Sequence, residues 1–213
     1  MKLTVISSPH DFLKEATLIN QLFQAGMSCF HLRKPGNSAD ELNDLLKQID
    51  PEYHSRISLH QHHFLADKNS IKRLHFTEEI RDKTSEEELK QLKQKGFTLS
   101  TSVHQIKMIV KQQQFDYVFL SPVFNSISKA GYAGFADASF TLQKSSPQPE
   151  VIALGGIDAS NIHQLKTMDF DGAAVLGTIW QQPEHAVFNF KVLQKICLKN
   201  SIPALDDAFT LKS

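Results

Sequence analysis

The sequence predicts a single (β/α)8 barrel, and three observations carry that expectation. Short apolar, β-branched runs alternate along the whole chain with longer segments of helical period. Eight such runs can be found in 213 residues, close to the lower size limit of ~200 for this barrel. The last two runs, in Val151-Ile152-Ala153-Leu154-Gly155-Gly156-Ile157 and Gly172-Ala173-Ala174-Val175-Leu176-Gly177-Thr178-Ile179, each lead straight into glycine. An open doubly wound sheet usually carries its glycines after the first strand instead.

The strands are expected at Leu3–Ser7, Cys29–Arg33, Arg56–His60, Arg73–Phe76, Thr98–Ser102, Tyr117–Ser121, Val151–Leu154 and Ala173–Leu176. The first helix spans Phe12–Ala25, where Phe12, Leu13, Ala16, Ile19, Leu22 and Phe23 fall on one face. Asp40–Ile49 and Glu86–Gln94 repeat the rhythm more weakly, and His104–Gln113 begins directly after a strand. Asn161–Met168 joins the two glycine segments, with Asp158 or Ser160 as its N-cap, and Phe188–Leu198 closes the chain. Pro122–Phe135 is the longest irregular connection, and long loops at strand C-termini are usually functional. The barrel is expected over residues 1–200, with 201–213 as a C-terminal tail.

Composition narrows the function classes. The 23 basic and 23 acidic residues cancel, no long basic run occurs, and so neither nucleic acid nor a membrane is an expected partner. The chain enters its first strand at once, and no apolar run approaches membrane-spanning length. Cys29 and Cys197 sit in apolar contexts and read as buried thiols of a reducing compartment, so a cytoplasmic location is expected. The oligomeric state is open, with a homo-oligomer among the alternatives.

The active site of such a barrel lies at the C-terminal ends of its strands. Those ends carry His31, Arg33 and Lys34, then His60 to His63, His75, Ser102, His104, and Ser121 to Lys129. The set is rich in cations, hydroxyls and imidazoles and poor in carboxylates, which suits an anionic substrate. Backbone N–H groups at Gly155, Gly156, Gly177 and Thr178 are the expected phosphate cradle. Period two points His31 and Arg33 the same way, and an inward Arg33 needs an anion or a carboxylate. Ser126, Ser128 and Lys129 place two hydroxyls and an ammonium on one loop, suited to phosphate or pyrophosphate. His104, where a strand turns into a helix, is the expected proton-transfer group. The run His60-Gln61-His62-His63 invites a metal reading, which His75 at the end of the fourth strand could join, but it has no acidic or Cys ligand near it, so no metal site is assigned.

These residues resemble the thiamin phosphate synthase and thiazole tautomerase superfamily over about residues 3–195. The matching blocks occur in the family's order: His31-Leu32-Arg33, Leu74-His75, Ser102-Val103-His104, Phe115 to Val118, Ser121 to Phe124 with Ser126 to Lys129, Ala153 to Ile157, and Asp171 to Val175. The resemblance implies a (β/α)8 fold and a thiazole phosphate as substrate. A synthase would join it to a pyrimidine pyrophosphate, with Mg2+ held by two aspartates after the third and fourth strands. The first position falls on His60-Gln61 and the second near Ile80, so Glu78 or Glu79, with Asp82 close by, would have to substitute. The lysine expected two positions beyond Arg33 is Pro35, with Lys34 displaced by one, and the expected glutamine is His31. A tautomerase needs a phosphate anchor and a proton-transfer group but no metal. The expected function is therefore a metal-independent, tautomerase-like isomerase, with Arg33 and Lys129 neutralising charge, His104 moving the proton, and His31 and His60 near the substrate. A divergent Mg2+-dependent synthase and a non-catalytic phosphometabolite-binding protein are the alternatives.

Overall fold

The computed structural model describes residues 1–125, 134–137 and 139–199. Eight parallel strands close into a barrel in sequence order. They are β1 (Lys2–Ile6), β2 (Phe30–Leu32), β3 (Ile57–Leu59), β4 (Arg73–Phe76), β5 (Thr98–Val103), β6 (Tyr117–Leu120), β7 (Glu150–Leu154) and β8 (Gly172–Val175). β1 closes the ring on β8 through four register pairs, Lys2 with Gly172 to Val5 with Val175. A Cβ at Gly172 would lie 2.9 Å from the Lys2 carbonyl oxygen, so this seam needs glycine.

The helices are α1 (Glu15–Gln24), α2 (Ala39–Gln48), α3 (Leu65–Lys68), α4 (Glu78–Lys83), α5 (Glu86–Gln94), α6 (Gln164–Thr167), α7 (Gly177–Trp180) and α8 (Ala186–Lys199). Ser38 and Ser85 open α2 and α5 with reciprocal capping boxes to Glu41 and Glu88. Two expected helices are corrected. The segment after β5 is a 3-10 helix, Ile106–Lys111. The segment before β8 is mostly turns, because the Asp158 carboxylate accepts from the Ser160 N–H at 2.8 Å and holds the chain in a local turn. Only Gln164–Thr167 is α-helical there, and neither Asp158 nor Ser160 is its N-cap. Among the described residues, no helix separates β6 from β7. Cys29 and Cys197 are both buried. No helix among the described residues is long and apolar enough to cross a membrane.

Alternation along the strands divides the core in two. Outward residues such as Phe30, Leu59, Leu74, Val118, Val151 and Ala173 pack against the helices in one large cluster. Inward residues of β1 and β6 to β8, among them Ile6, Phe119, Ile152 and Ala174, form a second, smaller apolar cluster. The inward positions of β2 to β5 are polar instead: His31, Ser58, His75 and Ser100 are all buried. Barrel interiors are normally filled by layers of branched apolar side chains. This interior is half apolar and half imidazole and hydroxyl.

Candidate active site

The loops after β7 and β8 form one wall of a cleft of about 500 Å3 at the C-terminal face. Gly155, Gly156, Gly177 and Thr178, expected from sequence to hold a phosphate, and Arg33, expected to neutralise a carboxylate or second anion, all line it. That volume suits a small phosphorylated metabolite. Gly155 and Gly156 have φ of 100° and 67°, where a side chain is strained. They run against the loop after β6: the Phe124 N–H donates to the Gly155 carbonyl at 3.1 Å. Thr178 donates its hydroxyl to the Ile157 carbonyl at 2.6 Å, tying the two glycine loops together. None of the N–H groups of Gly155, Gly156, Gly177 and Thr178 bonds a backbone carbonyl among the described residues. Such N–H groups are suited to an anion.

A Cβ on Gly156 would sit 2.2 Å from the Asn125 carbonyl oxygen and 2.7 Å from that of Phe124. Both contacts are to backbone, so the loop itself must move. Gly156→Ala is expected to cost about 1–3 kcal/mol from the left-handed conformation, plus the displacement of that loop. A fall in Tm together with at least ~10-fold weaker inorganic phosphate binding is expected, since one charge-assisted hydrogen bond is worth ~1.5–3 kcal/mol. Unchanged phosphate affinity by calorimetry would contradict this placement of the cradle.

Arg33 lies at the cleft with an exposed side chain, and not in the barrel interior as its spacing from His31 implied. The reason is local: β2 ends at Leu32, and reciprocal bonds between Arg33 backbone and Ser7 Oγ, at 2.8 and 2.9 Å, replace the ladder. Lys34 is a second correction. Its side chain is fully buried, with Nζ 2.6 Å from Glu15 and 3.0 Å from Asp11, so it is committed to carboxylates of this chain.

His104 follows β5 and is exposed. Its Nδ1–H donates to the Ser121 carbonyl at 3.0 Å, and Ser121 lines the cleft. This bond fixes the ring beside the cleft and leaves Nε2 as the free lone pair, the tautomer that a base requires. Ser126, Ser128 and Lys129 lie outside the described residues.

His31 and His60 do not line the cleft. They are buried inside the barrel, with His31 Nδ1 2.9 Å from His60 Nε2 and His31 Nε2 2.7 Å from the Tyr117 hydroxyl. The other imidazoles of the His60 to His63 run disperse. His62 bonds the Asn37 carbonyl at 3.0 Å and His63 the His75 carbonyl at 3.1 Å. His75, on β4, stacks on His60 with ring centroids 4.0 Å apart. The sequence associates His75 with the His60 to His63 run but does not add His31 to them. The usable signal was their inward period-two position on adjacent strands.

The positions where a synthase would hold Mg2+ do not fit that ion. Gln61 bonds the Lys34 backbone through both ends of its amide. Glu78 pairs with Arg81 at 3.4 Å, Glu79 with Lys83 at 2.7 Å, and Asp82 with Arg81 at 3.4 Å; all three carboxylates are well exposed on α4 or its edge. The mostly buried side chain beside the end of β5 is instead a cation: Arg81 donates to Thr101 Oγ1 at 3.1 Å and the Ser102 carbonyl at 2.8 Å. A hard dication wants a cluster of oxygen ligands, and here it would meet imidazole and guanidinium.

A second cleft of about 360 Å3, between α3 and α5, lies on the barrel flank away from the glycine loops. Comparison with solved structures agrees with the geometry. Thiamine phosphate pyrophosphorylase from Bacteroides thetaiotaomicron is 26% identical, covers 92% of this chain and 98% of its own, and has a TM-score of 0.70. The enzyme of the same name from Pyrococcus furiosus shares the fold at 16% identity, with a TM-score of 0.73 over 94% of this chain and 97% of its own. A 3-hexulose-6-phosphate synthase shares it at 14% identity and a TM-score of 0.60, covering 92% of this chain and 99% of its own. No curated protein matches the chain. The model of the thiamine monophosphate synthase family matches residues 3–179, and the chain belongs to that family.

Proposed function

We propose that the protein is a metal-independent, tautomerase-like isomerase acting on a thiazole phosphate. The phosphate rests on the N–H groups of Gly155, Gly156, Gly177 and Thr178. Arg33, at the same cleft, neutralises a carboxylate or second anion, with Lys129 assigned to the same task from sequence. His104, oriented by its bond to Ser121, takes a proton from the ring carbon and returns one to the ring system. One observation carries the choice over a synthase. The three carboxylates near the second metal position are all paired to cations, and His60 and Gln61 fill the first. Pyrophosphate departure from carbon would lack its main electrostatic support there.

The synthase reading is favoured by the Ser126-Ile127-Ser128-Lys129 motif and by the activity named for the similar bacterial structure. Purified protein would be mixed with the pyrimidine pyrophosphate, the aromatic thiazole phosphate and Mg2+, and thiamin phosphate followed as thiochrome. No product is expected. Mg2+-dependent product would overturn the isomerase in favour of the synthase.

Under the isomerase reading, His104→Ala is expected to lower proton exchange on the thiazole carboxylate by ~10^2–10^4-fold while leaving phosphate-ligand affinity largely intact. Arg33→Ala is expected to act mainly through KM, by about 10-fold or more, since a charge-assisted hydrogen bond is worth ~1.5–3 kcal/mol. Full activity in the His104 variant would remove the role given to that residue.

A further inference from the structure

We infer that the polar half of the barrel interior is a binding site for a borderline transition-metal dication of the Zn2+ class, held by His31, His60 and His75. The inference is separate from the isomerase reading, and either can fail without the other.

Each of the three imidazoles offers one nitrogen, and these nitrogens all lie within 4.8 Å of one another. Ligands on a tetrahedron with bonds of ~2.0–2.1 Å stand about 3.3 Å apart, so side-chain rotation closes the set without moving a strand. The rings come from three adjacent strands or strand ends, a rigid frame. Imidazole is the ligand these ions favour, and it must be neutral to bind. Burial meets that need: His31, His60 and His75 are all buried, which disfavours the charged imidazolium.

The surroundings are those of metal-binding histidines, whose second nitrogen usually meets an oxygen that fixes the ring. His31 Nε2 has the Tyr117 hydroxyl at 2.7 Å. His75 has Ser100 Oγ at 3.0 Å on Nδ1 and Ser102 Oγ at 3.1 Å on Nε2, so one hydroxyl remains to orient it whichever nitrogen binds. This half of the interior is also under-satisfied. His60 Nδ1, Ser58 Oγ and Arg73 Nε are buried without a hydrogen-bond partner among the described residues. Buried polar atoms without partners are costly, and three on one side of one barrel mark a place arranged around something else.

Charge sets the character of the site. Three neutral imidazoles leave the dication uncompensated, and the nearest fixed charges named above are cationic. The fourth ligand is therefore hydroxide or a small anion, and binding is expected in the micromolar range rather than at the tighter level of structural cysteine sites. Three nitrogens with an open fourth position are a ligand set of reactive zinc sites, but no role in turnover is assigned here.

The test uses the full chain prepared without a histidine tag and stripped with chelator. Titration with Co2+ is expected to give the visible absorption of a four-coordinate nitrogen site at one equivalent. Zn2+ should displace it and raise Tm by mass action. His60→Gln and His75→Gln should each weaken binding at least tenfold, while His62→Gln should leave it unchanged. Should the buried variants fold poorly, histidine 15N spectra of the wild type decide the matter, because Zn2+ must shift these three shielded rings. No binding at micromolar Co2+ or Zn2+, or binding that survives both buried substitutions, or shifts confined to exposed rings, would overturn the site.

Discussion

Lowering the pH from about 7 to about 5 is expected to remove about 2 kcal/mol of stability through His75 alone, with His31 and His60 adding to the loss in the same direction. The source is the imidazole array inside the barrel. His75 is pushed down to about 3 from an ordinary value of 6.5, by burial first and then by His63, Arg33 and Arg81. His31 and His60 are lowered in the same direction, again chiefly by burial. The unfolded chain therefore takes up protons below 6.5 while the folded chain refuses them. Stability is fully present above 6.5 and declines as the pH falls toward the folded values. Each such histidine contributes a slope of up to about 1.4 kcal/mol per pH unit. His75 alone is a sizeable share of a typical total of ~5–15 kcal/mol, and His31 and His60 steepen the slope in the same direction. The rings touch, so the uptake belongs to the group rather than to one residue. Urea midpoints measured across this range should fall steeply below about pH 6.5, and His75→Gln should flatten the slope. A midpoint that stays level down to about pH 5 would show that these rings are already charged, or solvated, in the folded state.

That array also shows where sequence reasoning stops. Alternation of apolar, β-branched runs with segments of helical period was enough to find all eight strands, and Arg73–Phe76 and Glu86–Gln94 have the bounds in the structure that the sequence predicts. The glycine segments were legible because their chemistry is backbone chemistry, fixed by the residue type itself. Position along the chain also placed Arg33 and His104 at the C-terminal ends of β2 and β5, where the structure has them. Side-chain direction was harder. His31 and Arg33 share a strand face by count, yet β2 ends between them, and the Ser7 hydroxyl turns the chain outward. α4 was missed because its six residues are too few to show a period; Thr77 opens it by accepting from the Ile80 N–H. The grouping of His31 with His60 and His75 depends on register between strands. The chain shows that only once His31 is paired with Ser58 and Ser58 with Arg73. The same long-range step hid the partner of Lys34, since Asp11 and Glu15 lie in another βα loop and the start of its helix.

Lys34→Met is expected to destabilise the protein by about 3–5 kcal/mol, through the carboxylate it leaves behind. The Lys34 side chain is 0% exposed and that of Glu15 is 4% exposed, with 2.6 Å between Nζ and Oε2. Glu15 Oε1 already has no hydrogen-bond partner among the described residues, so Lys34 supplies most of the compensation that this carboxylate has. Burial raises the Glu15 pKa above 4.5, and the Lys34 hydrogen bond and charge pull it back. Without the ammonium, burial acts unopposed and the folded-state value rises further. A carboxyl group raised in the folded state favours folding only where it keeps its proton. Its contribution is therefore lost as pH climbs from the unfolded value through the folded one. The gap between variant and wild type should be widest near neutral pH and narrow toward about pH 5, although both proteins weaken there through their histidines. Glu15→Gln combined with Lys34→Met should recover much of the loss, because replacing both members of a buried pair costs less than orphaning one. Asp11 is 60% exposed on its side chain and can turn to water, so Asp11→Asn should cost about 1 kcal/mol or less. Equal losses from Asp11→Asn and Lys34→Met in denaturant melts would place the energy in the exposed pair instead. A Lys34→Met deficit that does not change with pH would mean that Glu15 reaches solvent once its partner is gone.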